Sequence, residues 1–554
     1  MSLRLCRTAW CLAILCSLSC LKSRAWAFDF TADDGVHCHV ATPHPPSDAE
    51  KASMAGDLAK AETSYRDALT KTPHDATLVS GLVRTLLREQ KVDEASAVIT
   101  AEISASPSAV ALLVPSAEVS YRQGRIAEAA STADKAFHAD PCNARLYLMR
   151  ARIFRLNSMY VSERRAIGFA RSLDPYDPDI QRTWSGTIGL AQRIEMQKKL
   201  LAVPNSMSAE DRANAEKSVA NLENVASKEE KGCRIASNTT STELPMAPVI
   251  NGGNFRNIGS WGLHVSVNNT ETVLGVDTGA SGLIINRAIA ERAGLKAVAR
   301  VQFYGVGDEG AQGGFVAPAD SIRIGSLEFK NCMVQVTDRK DILDMDGLIG
   351  TDVFSSFLIT LDYPMRKFLL APLPPRPTDT TSIPTTLDTG AGDRSSSQTS
   401  GSGTEPQDRY IAPSMKDYYP VFRSGHDLIV PVVLNGKAER LFLVDTGSFS
   451  TTIAPDVART VTKVHGKEAG LIRGLSGNVN NVSFSEAVNF RFAGIEQQNN
   501  DLYSFDTSGL SRGAGVEISG FLGSTLLRQL TISIDYRDGL VKFDYDPHHG
   551  NHNF

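Results

Sequence analysis

The sequence predicts a multidomain chain, with an all-α helical-repeat solenoid in the N-terminal half and two all-β lobes in the C-terminal half. Three observations carry this expectation. Proline recurs at Pro73, Pro107, Pro141 and Pro175, each 34 residues after the last, the mark of stacked identical units. From about residue 246 the pattern changes to short β-branched runs separated by Gly, Asn and Asp turns, as strands and hairpins require. That β-rich half is one pattern written twice, because the stretch from Val265 to Ser281 has the design of the stretch from Val432 to Ser448.

A chain of 554 residues is too long for one core, so three or four folded units are expected. The formal charge of -5 supplies no basic field, which argues against nucleic-acid binding. Residues 1–27 have the layout of a secretory signal peptide: Arg4 and Arg7, an apolar run from Ala9 to Leu21, then Ala25-Trp26-Ala27. The apolar run falls short of the roughly 20 residues that span a bilayer. The expectation is an exported protein, periplasmic or secreted, with no membrane span after signal removal. Residues 28–41 follow as an N-terminal extension. Outside the signal segment stand Cys38, Cys142, Cys233 and Cys332, enough for two disulfides in any of three pairings. Their spacing suggests no metal site, and His37, His39, His548, His549 and His552 are read as incidental histidines near the chain ends.

Within the repeats Ala61, Ala95 and Ala129 share one register, Gly56 and Gly124 another, and Ala68, Ala136 and Ala170 mark further close approaches. Gln90 stands where a turn glycine is expected, and Glu163 where a small residue is. The pattern resembles the tetratricopeptide repeat over residues 42–177. Hairpins of this kind bury their apolar faces only by stacking, and stacking creates a concave surface. That surface is open to two readings, a groove for a protein partner or a support for the rest of the chain. Residues 178–231 read as a helical cap, with Ser208 as an N-terminal helix cap, and residues 232–245 as a linker.

The duplication sets Asp277-Thr278-Gly279-Ala280 against Asp445-Thr446-Gly447-Ser448, and Leu348-Ile349-Gly350 against Phe521-Leu522-Gly523. It continues with Asp362-Tyr363 and Asp535-Tyr536. It assigns residues 246–372 to a first lobe, 373–408 to a flexible linker, 409–547 to a second lobe and 548–554 to a tail. A third Asp-Thr-Gly, at Asp388, lies in Thr/Ser/Gly-rich sequence without a preceding strand, so it is assigned no role. Gly279 and Gly447 permit a tight loop that a side chain would obstruct.

Two apolar residues before Asp-Thr-Gly, followed some 75 residues later by two apolar residues and Gly, resemble the retropepsin-like aspartic proteases. The resemblance implies that Asp277 and Asp445 are the catalytic carboxylates, sharing one proton around one water. It gives Thr278, Gly279, Thr446 and Gly447 the support of the active loops, and makes Gly350 and Gly523 structural. It implies hairpin flaps at 303–310 and 470–477; Tyr304 in the first is given no catalytic role. It implies a peptide or protein substrate and a reaction without cofactor, metal or covalent intermediate. Two questions stay open at this level. Asp277 pairs with Asp445 in one chain, or each lobe pairs with its counterpart in another chain, so the oligomeric state is undetermined. The protein is an exported aspartic endopeptidase, or a non-catalytic peptide-binding scaffold with protease-like lobes.

Overall fold

The computed structural model describes residues 30–31, 37–41, 45–202, 209–229, 233–250, 258–339, 345–377, 408–468, 472–500 and 502–550. Residues 1–27, Ser208, Gly470, Asp388 and His552 lie outside the described residues.

Antiparallel helices fill the N-terminal half: Asp48–Met54, Leu58–Lys71, Ala76–Arg88, Val92–Ala105, Leu113–Arg122, Ile126–Ala139, Ala144–Leu156 and Tyr160–Leu173. The period is visible in the backbone. Gly56, Gln90, Gly124 and Ser158, spaced by 34 residues, all adopt positive φ, at +80°, +65°, +73° and +58°. Gln90 and Ser158 therefore keep the turn that Gly56 and Gly124 make freely, at a cost of roughly 1–2 kcal/mol each. Asp75, Asn143 and Asp177 each accept two backbone N–H groups at a helix start. Ala109, in the same register, has no such oxygen, and there the helix begins with a 3-10 turn, Val110–Leu112. Ala61, Ala95 and Ala129 are fully buried at the contacts between helices. Glu163 is buried as well, with Arg155 beside it at 3.5 Å.

Three more helices follow, Pro178–Ser185, Leu190–Ala202 and Ala209–Glu229. The last packs beside the strands Ala299–Phe303 and Leu327–Thr337 of the first lobe. The segment 232–245, expected to be a linker, is instead tied into the sheets over its described residues. Arg234–Ile235 pairs with Leu327–Thr337, and Thr242–Pro245 pairs with Lys367–Pro372, so 233–245 enters the β-sheets. The disulfide Cys233–Cys332 fastens that entry. The other disulfide, Cys38–Cys142, ties the short Phe30–Thr31 and His37–Cys38 strand pair to the helices.

Each lobe is a β-sheet folded on itself. In the first, Gly347–Gly350 runs parallel to Thr270–Asp277 with Gly350 opposite Asp277. In the second, Gly520–Leu522 runs parallel to Ala438–Val444 with Leu522 opposite Val444. A six-stranded sheet joins the lobes, with Phe357–Asp362 antiparallel to Thr531–Asp535 at its centre. One apolar core runs through both lobes and this sheet, from Trp261 and Phe354 to Phe442 and Phe490.

The helical array packs directly on the second lobe. Val114, Ala117 and Tyr121 share an apolar cluster with Ile429, Leu441, Val516 and Phe521. The turn at Gly124 meets Leu441, where a Cβ would lie 3.1 Å from its Cδ1. Glu517 N donates to Arg122 O at 2.8 Å, and Val161 N and Ser162 N donate to Asp408 at 3.1 Å.

Candidate active site

The sequence places each aspartate at the end of a buried strand, so that the chain must turn sharply where the apolar run stops. Asp277 ends Thr270–Asp277 and Asp445 follows Ala438–Val444. The two turns meet face to face within one chain. Thr278 N donates to Thr446 Oγ1 at 3.0 Å, and Thr446 N donates to Thr278 Oγ1 at 3.1 Å. Each hydroxyl then donates onward across the interface, Thr278 Oγ1 to Val444 O at 2.5 Å and Thr446 Oγ1 to Val276 O at 3.1 Å. Both threonines are buried, and the four reciprocal bonds leave none of these groups unsatisfied.

Above this lattice the carboxyls approach one another. A Cβ on Gly447 would stand 2.3 Å from Asp277 Oδ2, and one on Gly279 would stand 3.0 Å from Asp445 Cγ. Each lobe thus uses the missing side chain of its glycine to admit the other lobe's carboxyl. Gly279 N donates to Asp277 Oδ1 at 2.7 Å, and Ser448 N donates to Asp445 Oδ1 at 2.8 Å. Burial raises Asp277 above the ordinary carboxylate range, opposed by the Gly279 N–H and by the charge of His426. Burial together with the negative charge of Asp277 holds Asp445 well above that range. Two buried carboxyls this close disfavour each other's ionisation.

Gly350 and Gly523 lie immediately behind the loops. Gly350 N donates to Gly282 O at 2.7 Å, and Gly523 N donates to Thr451 Oγ1 at 3.1 Å. Asp352 fastens the first loop by accepting from Gly282 N at 2.9 Å and from Ser281 Oγ at 3.0 Å. Behind them Tyr536 and Thr351 share a hydroxyl–hydroxyl bond of 2.6 Å.

A cleft of about 1390 Å³ opens over the carboxyls. Two hairpin tips cover it and bond to each other: Ser476 N donates to Val306 O, Glu309 N to Ser476 O and Asp308 N to Asn478 O, at 2.9–3.0 Å. Tyr304 lines the cleft, and its hydroxyl bonds to Gln302 Oε1 rather than to the carboxyls. His426 and Asp427, absent from the expected site, also line it, with His426 Nε2 at 3.1 Å from Gly279 O. Among the described residues no cluster of three or more His, Cys, Asp or Glu is arranged to hold a metal ion.

A family model described as "Aspartyl protease" matches residues 263–353 and again residues 430–526. These are two tandem aspartyl protease-like domains. The matched ranges enclose both Asp-Thr-Gly turns and both apolar-Gly strands. Among solved structures, an aspartic proteinase from Irpex lacteus aligns over 56% of this chain and 100% of its own, with 12% identity and a TM-score of 0.32. No curated protein sequence matches the chain. The aspartyl protease-like domains support a hydrolase of the peptidase class.

Proposed function

We propose that the chain is an exported aspartic endopeptidase whose single active site is formed by Asp277 and Asp445 of one chain. The observation that carries this reading is the reciprocal fit of glycine and carboxyl, Gly447 admitting Asp277 and Gly279 admitting Asp445. Two carboxyls so close share one proton, which provides a base and an acid at the same reacting centre.

An extended peptide lies in the cleft under the hairpin tips, which exclude bulk water when closed. The ionised carboxylate takes a proton from a water molecule as its oxygen bonds to the scissile carbonyl carbon. The carbonyl π pair moves onto its oxygen, which receives the proton of the second carboxyl. The tetrahedral diol then collapses: the C–N bond breaks, the nitrogen takes the proton held by the first carboxyl, and one diol hydroxyl returns its proton to the second. The pair ends in its starting state, and no residue forms a covalent bond to substrate.

Export is supported by the signal-like layout of residues 1–27 and by two disulfides, which persist in oxidising compartments. The helical array supports the second lobe, with which it shares an apolar cluster that includes Ile429, Leu441 and Val516. The reading is tested by incubating the purified protein with a mixed peptide library from acidic to neutral pH. Cleavage that pepstatin suppresses is expected; no cleavage by folded protein would leave the scaffold reading in its place.

A further inference from the structure

The turns of the helical array meet the second lobe in step with the repeat. Gly124 abuts Leu441 and the carbonyl of Glu517, and Ser158 Oγ fills the space that a side chain on Gly539 would need. A Cβ on Gly56 would meet nothing within 4 Å. Between Gly56 and Gly124 in this series stands Gln90, which holds a φ of +65° that glycine would hold freely. Its side chain accounts for the exception. Gln90 Oε1 accepts from Arg122 Nη2 at 2.6 Å, and a glycine would leave the guanidinium without this acceptor.

Arg122 ends the helix Leu113–Arg122 and reaches the second lobe in two ways. Its carbonyl accepts from Glu517 N at 2.8 Å, and its Nη1 donates to Ser511 O at 3.4 Å. The two bonds bracket the end of the short helix Ser508–Ala514. That helix is one wall of the cleft, where Ser508, Gly509, Leu510, Arg512 and Gly513 line it. Leu510 and Ala514 also pack against the apolar cluster that holds Tyr121 and Ile126 of the array. Arg88, 34 residues before Arg122, shows the contrast: its Nη1 donates to Ser53 O and Ser53 Oγ, within the array. At Arg122 the same kind of tie crosses to the cleft wall.

We infer that Arg122, held by Gln90, is a positioning residue that fixes the Ser508–Ala514 wall for substrate, so that the helical array shapes the cleft as well as supporting the lobe. The inference rests on the peptidase reading for the meaning of the cleft. The wall carries neither aspartate, so loosening it weakens peptide binding and leaves the acid–base step in place. KM rises and kcat holds.

The test is Gln90→Gly in the full chain. Glycine already makes this turn at 56 and 124, so the variant keeps the fold and loses the acceptor. KM should rise by about tenfold at unchanged kcat, the scale of one hydrogen bond to a charged group. Hydrogen exchange at the bonded amides of Gly515, Glu517 and Ile518, measured without substrate, should quicken. Arg122→Ala should exceed both effects, and Gln90→Glu, which keeps an acceptor, should hold the wild-type KM and exchange. Wild-type exchange at these amides in folded Gln90→Gly, an unchanged KM, or a loss confined to kcat overturns the inference. Because exchange is read without substrate, amides that respond as described in a protein whose wild type cleaves nothing would overturn the peptidase reading alone.

Discussion

Gly279 and Gly447 set how closely the carboxyls approach, and they do so unequally. An added methyl at 447 would stand 2.3 Å from Asp277 Oδ2, which no small adjustment relieves, whereas one at 279 would stand 3.0 Å from Asp445 Cγ. Gly447→Ala should lower kcat/KM by about 100-fold or more, as expected for a displaced catalytic group, and Gly279→Ala by less. Peptide cleavage assays of the two variants side by side check the order; equal losses would mean that the two contacts do not differ as the geometry requires. The aspartates, threonines and glycines were legible because each sits in a fixed three-residue motif. His426 was not, since it is one residue in a hairpin turn and its contact with Gly279 arises only when the lobes close on each other. A second residue is informative for stability. Asp535 is fully buried, with its carboxyl raised to about 6 by burial and by the charge of Asp538. A raised carboxyl contributes stability below its unfolded value near 4 and loses it as the pH climbs through 6. Asp535→Asn keeps an acceptor for Asp538 N and removes the loss. Relative to wild type it should gain about 3 kcal/mol between pH 4 and pH 7, at about 1.4 kcal/mol per unit. Urea unfolding at the two pH values measures this, and a constant difference between the proteins would contradict it.

At the scale of elements, the repeat and the duplication were readable because both are periodic. The 34-residue proline spacing marks the units, and the backbone repeats in step even where Gln90 and Ser158 replace glycine. Residues 233–245 were not readable as strands. Arg234–Ile235 and Thr242–Pro245 are short, and their partners, around Lys330 and Lys367, lie about 100 residues away or more. Nothing local announces such pairing, and only Cys233 hinted at a fixed position. The same holds where the segment between the lobes begins and ends: Arg376 is buried against Asp538, and Asp408 accepts from Val161 N and Ser162 N at 3.1 Å. The expected flexible stretch is therefore anchored at both described ends. Cys233–Cys332 closes a loop of 99 residues, and a cross-link of that span restricts the unfolded chain by about 4–5 kcal/mol. Replacing both cysteines by serine should lower stability by a few kcal/mol, seen as an earlier midpoint in urea, and the loss should centre on the first lobe in hydrogen exchange. An unchanged midpoint would show that the sheet alone secures this entry.

At the scale of the molecule, the helices and the lobes form one structure. Leu441, Val516 and Phe521 of the second lobe are buried against the helical array, each contributing about 1.5–3 kcal/mol on leaving water. This is why the helical array could be anticipated from its period while its neighbour could not: the surface it covers is ordinary strand sequence within the second lobe. The joining sheet has the same consequence for the site. With Phe357–Asp362 and Thr531–Asp535 paired in one chain, the two Asp-Thr-Gly turns are held together without a second copy. The most direct test is cleavage by Asp277→Asn and Asp445→Asn separately, each on protein shown by light scattering to be a monomer. One intramolecular site predicts that either substitution alone removes at least 99% of the activity, at about the 10²–10⁴-fold scale of an acid–base group. Substantial cleavage surviving in either variant, as independent sites in paired chains would give, would contradict it.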